Sequence, residues 1–291
     1  MAEEAILLGE GVMAYILGGY QPDPHDAESL QQYWGFESRL RAHLPSGAGS
    51  VDLRPYASPR HNQVQTSSCV AQSVLKALEN LERQKKCRDL GIAPSQLGPQ
   101  DHTDLSVLAL YYLCRERMDP PQIAEDKGTY IALACDCLRH FGVCAEAVWP
   151  FDLTQVFVSP PMHAMREAFL HKISAYYRIE NTGQERVQSV IDALRAQHPV
   201  VFGTLVGNDW DAYERYQAAQ VLRLPRSGEQ RGGHATHLVG WDEPRGLFIG
   251  ENSWGNAWGD DGFYWMDPEV IASPISNDFW VITGNWEEPH A

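Results

Sequence analysis

The sequence predicts an α+β protein in two lobes, helical first and β-rich second, with a cleft between them. Three observations lead there. In the first half apolar residues recur at helical spacing, as Val70, Val74, Leu78 and Leu81 do. After Lys172 the period changes to short runs of β-branched and aromatic residues. An apolar content of 44%, with nine Trp and twelve Tyr in 291 residues, is ample for packed cores and argues against disorder.

Residues 1–50 read as a separate segment. MAEEAILLGEGVMAYILGGY has an apolar middle behind an acidic lead and lacks the basic start of a secretory signal. GGYQPDP is a turn followed by extended chain, and Asp23 with Pro24 then starts a helix. Leu30, Trp34, Leu40 and Leu44 give that helix a loose apolar stripe, and LPSGAGS is a flexible link that closes the segment near Ser50. Residues 51–291 form the main unit, helical over about 51–165 and β-rich over about 166–291. One helix begins at Thr66, with Thr66 or Ser67 as its cap, and two more span 104–117 and 129–141. ISAYYRI, PVVFGTLV, ATHLVGW, GLFIGE, GFYWM and DFWVIT read as strands. A helix at about 184–197 interrupts them through Val187, Val190, Ile191 and Leu194.

The formal charge of −15 opposes nucleic acid or an anionic membrane as partners, since both require a basic face. No stretch reaches the roughly 18 apolar residues of a spanning helix. The compartment stays open between the cytoplasm and export by a non-classical route. The cysteines, Cys69, Cys87, Cys114, Cys135, Cys137 and Cys144, are too few for a disulfide scaffold and lack zinc-site spacing. Cys135 and Cys137, two apart in a helical run, point away from each other. Reduced core cysteines with one functional thiol are expected.

That thiol is Cys69. Directly after the candidate cap, its sulfur belongs in the first helical turn, where orphan N–H groups and the helix dipole favour a thiolate. A lone cysteine is more often a buried core residue; the residues that accompany this one argue otherwise. His234 follows Gly232 and Gly233, which let a backbone approach closely and aim a ring into a cleft. His237, three positions on in a strand, competes with it and is read as a core residue. Asn252, in a Gly-rich turn before Ser253 and Trp254, is by itself a common turn former. Its amide oxygen also suits an imidazole N–H, fixing tautomer and orientation. Gln63, six residues before Cys69, brings an amide to the helix start, where it and the Cys69 N–H face a developing oxyanion. Nucleophile, base, orienting group and oxyanion donor are what a thiol hydrolase needs.

In order, NQVQTSSCV, GTYIALACDCLRHFGVCAEAVWPF, GGHATHLVGW and ENSWGNAWGDDGFYW resemble the motifs of the papain family of cysteine peptidases. VDLRPY is similar to the mature start in that family, so the likeness runs from about Val51 to about Thr283. It implies the papain-like two-lobe fold, a helical left lobe and a barrel-like right lobe with the site between them. It also implies Cys69 as nucleophile, His234 as base and acid, Asn252 as orienting group and Gln63 as oxyanion donor. Trp254 shields the His–Asn pair from water, Gly128 and Thr129 lie on the strand that pairs with a peptide substrate, and Gly233 lines the groove. No metal or organic cofactor is implied.

The departures are specific. Thr66 replaces the family's first cysteine and Val70 the aromatic after the nucleophile; Thr129 replaces a glycine of the substrate strand. NDWDAYERYQAAQVLRLPRSGEQR enlarges the stretch before the histidine. These suit the bacterial, stand-alone branch. Two other readings are a transglutaminase-like Cys–His acyl transferase, disfavoured by Asn252 where such enzymes carry Asp, and a non-catalytic peptide-binding module, disfavoured by the intact set of residues. Family members carry an N-terminal pro-segment that crosses the cleft against the direction of substrate. The stretch GVMAYILGGYQPDP suits such a groove, so part of residues 1–40 is expected to cover it and lower activity.

Overall fold

A computed structural model of the chain describes residues 17–24, 48–210, 213, 220–226 and 228–284. The helix expected after Asp23, with its stripe of Leu30, Trp34, Leu40 and Leu44, lies outside the described residues. Elements in chain order are β1 (Val51–Asp52), α1 (Cys69–Leu90), α2 (Val107–Arg117), α3 (Ile131–His140), α4 (Met162–Glu167), β2 (Ile173–Ile179), α5 (Gly183–Arg195), β3 (Val200–Val206), β4 (Val221–Leu222), β5 (Gly232–Asp242), β6 (Leu247–Glu251), β7 (Phe263–Met266), α6 (Pro268–Ala272) and β8 (Ser276–Gly284).

The helices and the sheet pack on each other through two buried cores, the first of which also takes in Tyr176, Val201, Ala235 and Trp280 from the strands. Val70, Val74, Leu78 and Leu81 of α1 join Leu108 and Tyr111 of α2 and Ile131 and Leu138 of α3 in one buried core. A second core lies on the sheet, where Val190 and Leu194 of α5 meet Phe202, Leu238, Phe248, Tyr264 and Phe279. The sheet runs β2-β8-β3-β5-β6-β7-β4, with β1 added to β5. It is antiparallel except for β4 beside β7. The order is an open path rather than the closed barrel that "barrel-like" suggests. At its centre β5, eleven residues long, pairs Thr204 of β3 with His234 on one side and Glu251 of β6 with His237 on the other.

Two local departures from regularity set up the site. The first is the start of α1. Its N-cap is Ser68, which makes no side-chain cap bond. The expected caps are engaged elsewhere: the Thr66 hydroxyl donates to the Gln63 carbonyl and the Ser67 hydroxyl to the Asp126 carbonyl. Both tie down the incoming loop instead of closing the helix, so α1 opens on Cys69 itself. At its other end Gly91 takes a left-handed conformation (φ 65°), and the Ile92 N–H reaches back to the Cys87 carbonyl.

The second departure is a bulge in β8. The β3 register runs from Val201 opposite Trp280 to Gly203 opposite Asn277, so Asp278 and Phe279 stand against Phe202 alone. Asp278 sits at φ 54°, a left-handed conformation that Asp tolerates better than most residues. All six cysteines are unpaired and buried, as expected. Among the described residues no helix is long and apolar enough to cross a membrane.

Candidate active site

The α1 start, the first residues of β5 and the loop after β6 converge. The Cys69 sulfur accepts the Ala235 N–H at 3.4 Å. The Ser73 hydroxyl, one turn on in α1, lies within hydrogen-bond distance of both the Cys69 and Ala235 carbonyls, at 2.8 and 2.9 Å. It thereby stitches the nucleophile's helix to the histidine's strand. His234 is fully buried, and its Nε2 lies 2.8 Å from Asn252 Oδ1. Asn252 Oδ1 also accepts the Ser253 N–H at 2.8 Å, which holds the oxygen toward the ring. With Nε2–H donating to Asn252, the remaining Nδ1 is the basic nitrogen. It has no hydrogen-bond partner among the described residues. His237, by contrast, faces Glu251 at 3.4 Å, in keeping with its core reading.

A tryptophan cluster packs against the buried His–Asn pair. Trp254 packs with its ring centre 5.1 Å from that of His234, and Trp210 meets the imidazole edge-on at 5.6 Å. Trp258 stacks on Trp210 and donates its indole N–H to the Trp210 carbonyl. Trp254 thus stands where the sequence expects it. Trp210 belongs to the enlarged stretch and was not among the expected residues, because nothing local in NDWDAY marks it as facing the imidazole.

Gln63 is held at both ends. Residues 61–63 pair with 253–255: Asn62 bridges Trp254, the Gln63 N–H donates to the Ser253 carbonyl at 2.8 Å, and the Gly255 N–H to that of His61 at 2.9 Å. The Ser253 hydroxyl donates to Gln63 Oε1 at 2.6 Å, which turns the amide nitrogen toward the α1 start, where it reaches the Thr66 carbonyl at 3.0 Å. Ser253 and Ser73 are positioning residues that sequence reasoning missed, since a serine carries no motif of its own.

Residues 17–24 run beside this constellation. Tyr20 forms a parallel bridge with Thr129; the Thr129 N–H donates to the Gly19 carbonyl and the Gln21 N–H to the Thr129 carbonyl, both at 3.1 Å. On the opposite side the Gly18 N–H donates to the Gly233 carbonyl at 2.8 Å. Gly128, at φ 80°, leaves room for the Gly19 carbonyl where a Cβ would overlap it. A Cβ on Gly19 would stand 2.5 Å from the Ser67 carbonyl oxygen and 2.9 Å from Cys69 Sγ, so no side chain fits there. Asp23 anchors the far end. Its carboxylate accepts the Ala132 N–H in the first turn of α3 at 3.1 Å and the Trp280 indole N–H at 2.7 Å.

The electrostatics follow from burial. Burial pushes the Cys69 thiol up to about 12, against the lowering influence of the Ala235, Val70 and Cys69 N–H groups. It pushes the His234 imidazole down to about 4, with the Asn252 hydrogen bond acting the other way. Burial thus disfavours the charged form of both thiol and imidazole. On the other side of β5 the interior is charged. Glu251 lies 3.4 Å from Lys76, from Arg60 and from His237. Burial alone would raise the Glu251 carboxyl, but Lys76, His237 and Arg60 outweigh it and hold it down to about 2. Glu79, beside Lys76 and His61 at 3.5 Å each, is likewise held below the usual carboxylate range.

Comparisons with known proteins show the family and the fold. The chain is 31% identical over 245 residues to an uncharacterized peptidase C1-like protein of Acanthamoeba polyphaga mimivirus, covering 80% of this chain and 74% of the relative. The crystal structure of xylellain, a cysteine protease from Xylella fastidiosa, superposes with a TM-score of 0.73 at 27% identity, over 92% of this chain and 96% of that one. The ragweed pollen cysteine protease Amb a 11 in its proform shares the fold, with a TM-score of 0.62 at 17% identity, over 84% of this chain and 69% of that one. The sequence profile of the papain family cysteine proteases matches residues 48–283, and the chain belongs to that family.

Proposed function

We propose that Cys69 is the nucleophile of a hydrolase acting on peptide bonds of peptides or proteins, with His234 as base and acid, Asn252 as orienting group, and the Gln63 amide with the Cys69 N–H as oxyanion donors. The observation that carries this reading is the junction of α1 and β5. There the Cys69 sulfur accepts the Ala235 N–H, and the neighbouring His234 has one ring nitrogen fixed by Asn252 and the other uncommitted. In the reaction the Cys69 proton passes to His234 Nδ1 and the thiolate attacks the peptide carbonyl carbon. The oxyanion is met by donors already in place. His234 returns the proton to the leaving amine as the C–N bond breaks, and water, deprotonated by the same ring, hydrolyses the thioester and regenerates the thiol.

Residues 17–24 are read as a cover on this groove. In the family the backbone at Gly128 and Thr129 pairs with substrate, and here that edge and Gly233 are taken by Gly18, Gly19, Tyr20 and Gln21. The parallel sense of the Tyr20–Thr129 bridge supports a path opposed to that of substrate. Docking also keeps water from Cys69 and His234 and so favours their neutral forms.

Peptide cleavage and amine incorporation separate hydrolase from acyl transferase. The expected result is release of a fluorogenic amine from peptide substrates, lost in Cys69→Ala. Incorporation of an added amine into glutamine side chains, without peptide cleavage, would favour the transferase instead.

A further inference from the structure

Tyr20 fills a pocket whose walls belong to the enzyme, and what the pocket supplies to Tyr20 describes what it would supply to a substrate. The ring lies over Gly203 of β3, where any Cβ would overlap it, and beside Gly233 of β5, where a Cβ would come within 3.2 Å of the ring. Thus a flat, aromatic-sized space exists because two paired strands lack side chains at those positions. At its end the Tyr20 hydroxyl donates to Asp278 Oδ2 at 2.5 Å. Asp278 is 3% exposed and is the residue that the β8 bulge, with its left-handed backbone, points into this space. Bulges that re-aim one side chain are frequent next to active sites, and a non-glycine residue held at positive φ is the kind of strain that persists where it serves a site.

We propose that Asp278 and Gly203 are specificity-determining residues, forming a pocket that selects a substrate side chain bearing a phenol, with the Asp278 carboxylate accepting from its hydroxyl. This rests on the peptidase reading above. The backbone of Tyr20 bridges Thr129, on the strand assigned to substrate, so the pocket opens beside the substrate path.

The partners of Asp278 decide between occupants. Its other oxygen pairs with Arg178 at 2.6 Å, so the carboxylate is already neutralised and a second cation entering the pocket would face that guanidinium. Departure of residues 17–24 removes two of the donors to Asp278, the Tyr20 hydroxyl and the Asp23 N–H, both on Oδ2. An apolar occupant leaves that buried oxygen short of donors, which is costly; a phenol restores one.

The test uses the full chain carrying Tyr20→Ala, which empties the pocket, and a series of peptidyl electrophiles that alkylate Cys69. These carry Tyr, Phe, Arg, Leu or Ala in turn at each of the three positions before the reactive carbonyl. At one of the positions Tyr should label Cys69 about tenfold faster than Phe, the range expected of one hydrogen bond to a charged acceptor, and faster than Arg. Adding Gly203→Ala should abolish the advantage of Tyr and leave the smallest side chain fastest at that position. Adding Asp278→Asn, which tolerates the same backbone, should narrow the Tyr-to-Phe ratio. Phe equal to Tyr at all three positions, a preference for Arg, or an unchanged Tyr preference in the Gly203→Ala protein would overturn the inference. Cys69 labelling by any of the peptides upholds the peptidase reading whichever side chain is preferred. Labelling of another cysteine, or of none, is a failure of that reading and not of the pocket.

Discussion

His234 and His237 lie three positions apart on one strand, both buried, and their surroundings are opposite in kind. His237 faces Glu251 within a cluster that includes Lys76, Arg60 and Glu79. Among the described residues His234 meets a neutral amide and the rings of Trp210 and Trp254, and its chain neighbour Ala235 donates its N–H to the Cys69 sulfur. Buried charges that are mutually compensated join elements together, here α1 to β5 and β6, and removing one partner leaves the others uncompensated. His234 has no such charge to compensate, and its Nδ1 has no hydrogen-bond partner among the described residues. Burial therefore says little about role; the charge of the neighbouring group, a carboxylate beside His237 and a neutral amide beside His234, says more.

The largest expected effect separates the two histidines by activity. His234→Ala should lower the rate of peptide cleavage about 10²–10⁴-fold, the usual range for a general acid–base residue, while leaving the melting temperature within a few degrees. His237→Ala should lower stability and reduce activity only as far as the folded fraction falls. Equal activity loss in both, at unchanged stability, would erase the distinction.

A smaller effect, on stability, separates the two regions by pH. Glu251→Ala should cost about 3–5 kcal/mol in urea unfolding, as expected for a broken buried ion pair. The Glu251 and Glu79 carboxyls are held below their unfolded value of about 4.5, so the stability they provide is present above that pH and is lost as pH falls toward 2. His234 and His198 are both held by burial below their unfolded value of about 6.5, so each takes stability away as pH falls from there toward 4, while the Asp23 carboxyl, raised by burial to about 7, adds stability over the same fall. Acid unfolding should therefore fall in two windows. His234→Ala should shrink the upper one, to which His198 also contributes, and Glu251→Gln should shrink the lower one; a single window unaffected by either would show that the two regions titrate as one.

Much of this was legible in the sequence. Cys69, Gln63, His234 and Asn252 each lie in a short run whose local chemistry restricts their role, and the structure brings all four together. The strands were legible because their apolar and aromatic runs are short and bounded by turn residues. What the sequence hid depends on distant partners. Thr66 and Ser67 have the chemistry of caps, but their hydroxyls bond the Gln63 and Asp126 carbonyls, so α1 starts at Cys69. Asp23 also has the chemistry of a cap, and its carboxylate serves the first turn of α3, more than 100 residues away. Trp210, Ser73, Ser253 and Asp278 carry no local signal. Ser73 is placed by the packing of α1 on β5, Trp210 by its ring contacts with His234 and Trp254, Ser253 by pairing with the Gln63 segment and Asp278 by the β8 bulge, and none of these has a sequence period.

The central claim, that Cys69 is a reactive thiol beside His234 and that residues 17–24 cover it, is tested most directly by the alkylation rate of each cysteine with iodoacetamide, mapped by mass spectrometry. Three proteins are compared: the full chain, a chain lacking residues 1–38, and full-length Gly19→Leu, whose side chain has no room between Ser67 and Cys69. Cys69 should be the fastest-labelled cysteine in all three, at least tenfold faster in the two altered proteins than in the full chain, and slow in each once His234→Ala is added. Faster labelling at Cys135 or Cys144, or a Cys69 rate identical in all three proteins, would contradict the account.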